Sequence, residues 1–120
     1  MIAAGVCGLT AVLAGTFAAH GLKGRLAPDL LEDFQIGAHY HLAHAIALLA
    51  VAAIAGAMPQ SKLTRAAGWC MVFGVIVFSG SLYILALTGE TRLGMITPIG
   101  GVGFLVGWAL LVIAGWRGRG

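Results

Sequence analysis

Ala66-Ala-Gly-Trp-Cys-Met-Val-Phe-Gly-Val-Ile-Val-Phe-Ser-Gly-Ser-Leu-Tyr-Ile-Leu-Ala-Leu-Thr-Gly89 contains no Asp, Glu, Lys or Arg. A helix rises ~1.5 Å per residue, so about 20 apolar residues cross a ~30 Å hydrocarbon core. This stretch is long enough to do so. Residues 1–22, 34–61 and 93–116 share the property. All formal charges fall between these windows, at Lys23 to Asp33, Lys62 with Arg65, Glu90 with Arg92, and Arg117 with Arg119. Transmembrane strands need only ~9–11 residues and alternate in polarity. These windows are longer and continuously apolar. A helix also satisfies its own backbone, which hydrocarbon requires. The expected fold is all-α: an integral membrane four-helix bundle with short loops.

Composition agrees. Of 120 residues, 60% are hydrophobic and 9% charged, against about 25% charged in an average soluble domain. A chain this short leaves much of its surface outside its core, so water is the wrong solvent for it. One membrane domain over 1–120 is expected, with spans near 2–20, 37–57, 65–88 and 98–116, and membrane lipid as its first partner. The net charge of +3 comes from scattered residues without a Lys/Arg run, which argues against nucleic acid. Cys7 and Cys70 lie in apolar stretches and read as small packing residues.

Helix ends have local signals. Gly21 reads as the residue that stops helix 1. Pro28 suits the first position of helix 2, with Asp29, Glu32 and Asp33 in the early turns where the helix dipole favours acids. Leu30, Leu31 and Phe34 form an opposing apolar stripe. Residues 28–37 are therefore expected at the membrane interface, with a bend at Gly37. Helix 3 is expected from about Thr64 to Thr88, followed by Gly89. Thr97 is expected to cap helix 4, with Pro98 at its first position. Helix 1 lacks the basic leader of a signal peptide and is expected to be retained. Lys62, Arg65, Arg117 and Arg119 on one side outnumber Lys23, Arg25 and Arg92 on the other, which places both termini in the cytoplasm.

Helices in lipid associate through close contact, which small residues permit. Gly103 and Gly107 form a GxxxG pair. Ala4 with Gly8, Ala11 with Gly15, Ala43 with Ala47, and Ala52 with Gly56 repeat the spacing. Gly15, Ser79, Gly80, Ser81, Thr97, Pro98, Gly100, Gly101, Gly103 and Gly107 are the expected helix-packing residues. Such faces serve contacts within the chain, or a homo-oligomer or membrane-protein partner.

Ionisable residues inside a span mark candidate sites. His20 ends helix 1, and His39, His41 and His44 lie in early helix 2. An antiparallel hairpin would bring His20 towards His41 or His44. Such a set suits a metal, a haem, or proton and quinone chemistry. His20, His41 and His44 are the candidate metal ligands; His20, His44, Tyr40 and Tyr83 are the candidate cofactor contacts. Against this stand hydrogen bonds to backbone carbonyls, the simpler use of such residues. No Cys or carboxylate stands at ligand spacing, and no cofactor is assigned. Ser79 and Tyr83 share a face of helix 3, and their hydroxyls can bond to helix 2 or helix 4. No G-x-S-x-G motif occurs and no acid lies in the spans, so hydrolase chemistry lacks its orienting group.

Gly15-Thr-Phe-Ala-Ala-His-Gly-Leu-Lys23, Tyr40-His-Leu-Ala-His44-Ala, Phe78-Ser-Gly-Ser-Leu-Tyr83, Leu93-Gly-Met-Ile-Thr-Pro-Ile-Gly-Gly101 and Gly107-Trp108 occur in that order. The chain thereby resembles the YgdD/YwdK family of small bacterial inner-membrane proteins, and is similar to animal transmembrane protein 256. The resemblance covers nearly the whole chain. It implies four membrane helices, no established activity, and His20, His44, Ser79, Ser81, Tyr83 and Thr97 as family positions. His41 departs from it, standing where the family pattern has Gln. The expected function is a non-enzymatic accessory or assembly subunit of a larger membrane complex in the bacterial inner membrane. An oligomeric pore or carrier for a small solute, and a His-based site for metal, haem or quinone, are the alternatives.

Overall fold

A computed structural model describes residues 1–118, so Arg119, one of the residues in the charge comparison, lies outside the described residues. Four helices are long and apolar enough to cross a membrane. We label them α1 (Ile2–Gly21), α2 (Pro28–Ala57), α3 (Lys62–Thr88) and α4 (Thr97–Trp116). A short 3-10 turn, Thr91–Met95, precedes α4. No strand occurs among the described residues. The fold is therefore an all-α membrane bundle. α1 packs on α2, α2 on α3, and α3 most extensively on α4. The result is flattened, 49 × 26 × 17 Å, with α1 held mainly through α2.

The helix ends refine the sequence reading. Pro28 opens α2 as expected. Gly89 closes α3 in the left-handed conformation, φ 72°, its N–H bonding Leu85 O. Gly21 is a correction, because it does not adopt the left-handed stop. α1 instead finishes in a π turn, Phe17–Gly21, and a Cβ on Gly21 would strike the Phe17 ring. The left-handed residue in that loop is Gly24, φ 81°. α3 starts at Lys62 because Ser61 caps it, accepting from Thr64 N–H at 3.2 Å. Thr97 is a second correction, because Ile96 is the capping residue of α4 and no side chain caps it. The Thr97 hydroxyl lies instead 2.6 Å from Ser81 Oγ on α3, a partner that local sequence does not reveal.

Phe34 is buried against Ala18, Leu22 and Ala86, while Asp29 and Glu32 remain exposed. The first turns of α2 thus close the end of the bundle. α2 stays helical through Gly37, uninterrupted from Pro28 to Ala57. Gly37 serves contact instead: the Tyr83 ring lies on it, and a Cβ there would be 3.0 Å from Tyr83 Cε1.

On α4, Gly100, Gly103 and Gly107 line one side and face the α3 backbone. A Cβ on Gly107 would lie 3.1 Å from Ala67 O, and one on Gly103 3.1 Å from Cys70 O. One on Gly100 would collide with the Phe78 backbone, while Gly101 has ordinary contact with the Phe78 ring. The GxxxG pair is therefore spent inside the chain. Gly15 and Gly80 make no close contact within the chain, because a Cβ on either would meet nothing within 4 Å. Gly15 is exposed, and Gly80 is half-buried beside an open groove. Outside the membrane, Glu90 accepts from Arg92 at 2.9 Å, which holds its carboxyl below the usual range.

Candidate functional site

α2 carries the two buried histidines of the bundle interior, and α3 carries the buried hydroxyls of Thr64, Ser79 and Ser81. His41 and His44 are each only 6% exposed. Among the described residues, every buried side-chain nitrogen and oxygen has a hydrogen-bond partner. That is the condition for holding polar groups at membrane depth.

The histidines enter separate networks. His44 Nδ1 lies 2.8 Å from Tyr40 O, and the Trp108 indole N–H donates to His44 Nε2 at 3.1 Å. Indole can only donate, so His44 is the neutral tautomer with its proton on Nδ1. Its ring stacks on Phe104 at 3.7 Å, and Phe104 in turn occupies the space left by Gly74. Both nitrogens of His44 are thus committed to bonds within the protein. Tyr40 packs beside Phe78 and contributes its carbonyl.

His41 bridges three helices. Its Nε2 is 3.0 Å from Thr10 Oγ1 on α1, and its Nδ1 is 2.8 Å from Tyr83 Oη on α3. Ser79, one turn below Tyr83, donates to Gly37 O at 2.7 Å. A π turn at Val75–Ser79 ends on Ser79 itself; such turns are rare and occur frequently at functional sites. Ser79→Ala should remove one interhelical bond and destabilise by about 0.6 kcal/mol, with ~1.7 as a ceiling. A slightly lowered unfolding midpoint in mixed micelles would register it.

The expected convergence of His20 with His41 or His44 is a correction. His20 is exposed at the end of α1, whereas His41 meets Thr10, ten residues and roughly 15 Å further along that helix. The first turns of α2 take up the register near His20, so the later histidines lie deeper. His39 is exposed as well. No group of three His, Cys, Asp or Glu side chains suited to a metal occurs among the described residues. Sequence reasoning missed Thr10 and Trp108. Thr10 had a signal, as a hydroxyl in the middle of an apolar helix; Trp108 had one as part of the Gly107-Trp108 run and as an indole donor inside a span, but neither pointed to His44.

A groove of about 580 Å³ opens sideways between α1 and α3. Val6, Val72, Val75 and Ile76 wall it, Gly80 borders it, and Thr10, His41 and Tyr83 supply its polar lining. Cys7 also lines it, and neither cysteine is disulfide-bonded.

The fold and its interior define a small polytopic α-helical membrane protein. Residues 14–101 match the family described as a protein of unknown function, DUF423. The chain is 43% identical over 106 residues to the UPF0382 membrane protein YwdK of Bacillus subtilis, covering 88% of this chain and 86% of that one. A UPF0382 membrane protein of Staphylococcus epidermidis is 45% identical over 106 residues, covering 88% and 85%. One from Haemophilus influenzae is 38% identical over 112 residues, covering 93% and 89%. The chain belongs to this membrane-protein family. No solved structure matches it.

Proposed function

We infer that the protein is a non-catalytic accessory or assembly subunit that works by lateral contact with another membrane protein. The supporting observation is the division of labour along α1. Ala4, Ala11 and Ala18 are buried on the α2 side, at seven-residue spacing. Their partners in the small-residue pairs, Gly8 and Gly15, have no atom within 4 Å of a Cβ, and neither has Gly5. Glycine in a helix interior costs about 1 kcal/mol relative to alanine. In lipid, a second transmembrane helix approaching that edge recovers the cost through close contact. A shallow groove between α1 and α2, edged by Gly5, Gly8, Leu42 and Ile46, continues the same surface.

The partner on this reading is a transmembrane helix with small residues of its own. Both termini are assigned to the cytoplasm, at a bacterial plasma membrane, because the sequence sets Lys62, Arg65, Arg117 and Arg119 on that side against Lys23, Arg25 and Arg92 on the other. Native-level purification in mild detergent should yield a discrete complex. Gly15→Leu should dissociate it while leaving the thermal midpoint of this chain intact. A single species of the same size for wild type and variant would overturn the reading.

A further inference from the structure

We propose that the groove between α1 and α3 binds the ring of a lipid-soluble quinone, with a ring carbonyl on the Tyr83 hydroxyl and the tail running along the groove. This goes beyond the accessory role and uses a different face of α1. Four observations carry it.

The first is the groove itself. Its volume of about 580 Å³ lies within the range of small-molecule sites, ~300–1,000 Å³. It opens sideways to lipid, so a membrane-dissolved ligand enters without crossing water. Ala3, Trp69 and Val72 continue it into a second, shallower groove towards Met1 and Arg65. That extension gives an apolar tail a path along the bundle.

The second is the charge of the lining. No Lys, Arg, Asp or Glu borders the main groove. A carboxylate or phosphate head would lie uncompensated in hydrocarbon, at a cost of several kcal/mol. The head must be neutral and must form hydrogen bonds.

The third is the chain Thr10–His41–Tyr83, which has two complete donor orders on the same heavy atoms. In one, the Tyr83 hydroxyl donates to His41 Nδ1, His41 Nε2–H donates to Thr10 Oγ1, and the Thr10 hydroxyl donates to Val6 O at 2.9 Å. In the other, Thr10 donates to His41 Nε2 and Nδ1–H donates to Tyr83 Oη. The Tyr83 O–H is then free to donate into the groove. Val6 O loses nothing essential, since α1 already supplies it with the backbone N–H of residue 10. The imidazole stays neutral in both orders. The second order offers a donor to a quinone carbonyl, and the first offers the phenol oxygen as acceptor to a quinol hydroxyl. The site therefore accepts both redox forms through a shift of protons within the chain, without a change of shape.

The fourth is Gly80. It borders the groove, and a Cβ there would meet nothing within 4 Å. Its missing side chain leaves the groove open beside Tyr83.

The test uses the full chain in phosphatidylcholine nanodiscs, titrated with a decyl-substituted benzoquinone. Tryptophan fluorescence is the readout, because Trp69 borders the groove and quinones quench indole. A saturable component is expected above the linear quenching caused by partition into lipid. Tyr83→Phe should weaken it roughly three- to tenfold, the worth of one neutral hydrogen bond. Gly80→Leu, whose Cβ would meet no protein atom within 4 Å and which adds bulk at the groove wall, should abolish it at an unchanged thermal midpoint. Decylbenzene, which has the tail and no carbonyl, should not compete. Linear quenching alone in the wild type would overturn the proposal. So would unaltered saturation in both variants. Equal competition by decylbenzene would overturn it in favour of an acyl-chain groove.

Discussion

Gly100→Val should separate α4 from α3 and leave little correctly folded protein in mild detergent. A Cβ at position 100 would overlap the backbone nitrogen and Cα of Phe78, and backbone cannot move aside as the tip of a side chain can. α4 would have to retreat along its whole length. Gly103 and Gly107 would then lose their contact with the carbonyls of Cys70 and Ala67. Overpacking a tight interface typically costs 1–3 kcal/mol, and a collision with backbone belongs at or above the top of that range. Gly115→Ala is the matched control. It lies on the same helix, and its Cβ would meet nothing within 4 Å. There the variant should be neutral, or more stable by the helix propensity of alanine, up to about 1 kcal/mol. Size-exclusion profiles and thermal midpoints of the two variants in one detergent provide the comparison. Equal midpoints would contradict the α3–α4 interface described above.

Phe104→Ala should destabilise nearly as much by the opposite route. Phe104 is 4% exposed, stacks on His44, and packs against Phe78 and Tyr40. It also fills the space beside Gly74, where a Cβ would collide with its ring. Removing such a ring from a close-packed interior typically costs 3–5 kcal/mol through lost contact and the cavity left behind. The loss is one of packing rather than of hydrophobicity, because lipid is as apolar as the interior, so the cost belongs at the low end of that range. The His44–Trp108 bond should loosen as well, since Phe104 holds the imidazole plane. Trp108 emission, read in a background with Trp69→Phe and Trp116→Phe, is the specific readout. A lower thermal midpoint with a shifted tryptophan emission maximum is expected. An unchanged spectrum at a lowered midpoint would mean that Phe104 does not position His44.

Gly74 illustrates the limit of reading function from composition. In sequence it is one glycine among 19. In the structure it accommodates Phe104, whose ring supports His44, whose Nε2 receives Trp108. Each link joins residues far apart in the chain, and none has a periodic signature. Ser79 and Tyr83 were more legible, because two hydroxyls four residues apart must share a helix face. Their partners on α2, the Gly37 carbonyl and the His41 ring, were not, since local sequence does not set the register between helices.

The charges determined the fold class on their own. Hydrocarbon excludes ionised groups by several kcal/mol each, so windows without them become spans and clusters of them become turns, whatever the helices later touch. Tertiary packing decided the rest: that Gly100, Gly103 and Gly107 of α4 serve α3, that Gly5, Gly8 and Gly15 of α1 remain open, and that His20 stands apart from His41 and His44. Those outcomes depend on register between helices, which shape complementarity sets over many weak contacts and which no single residue encodes.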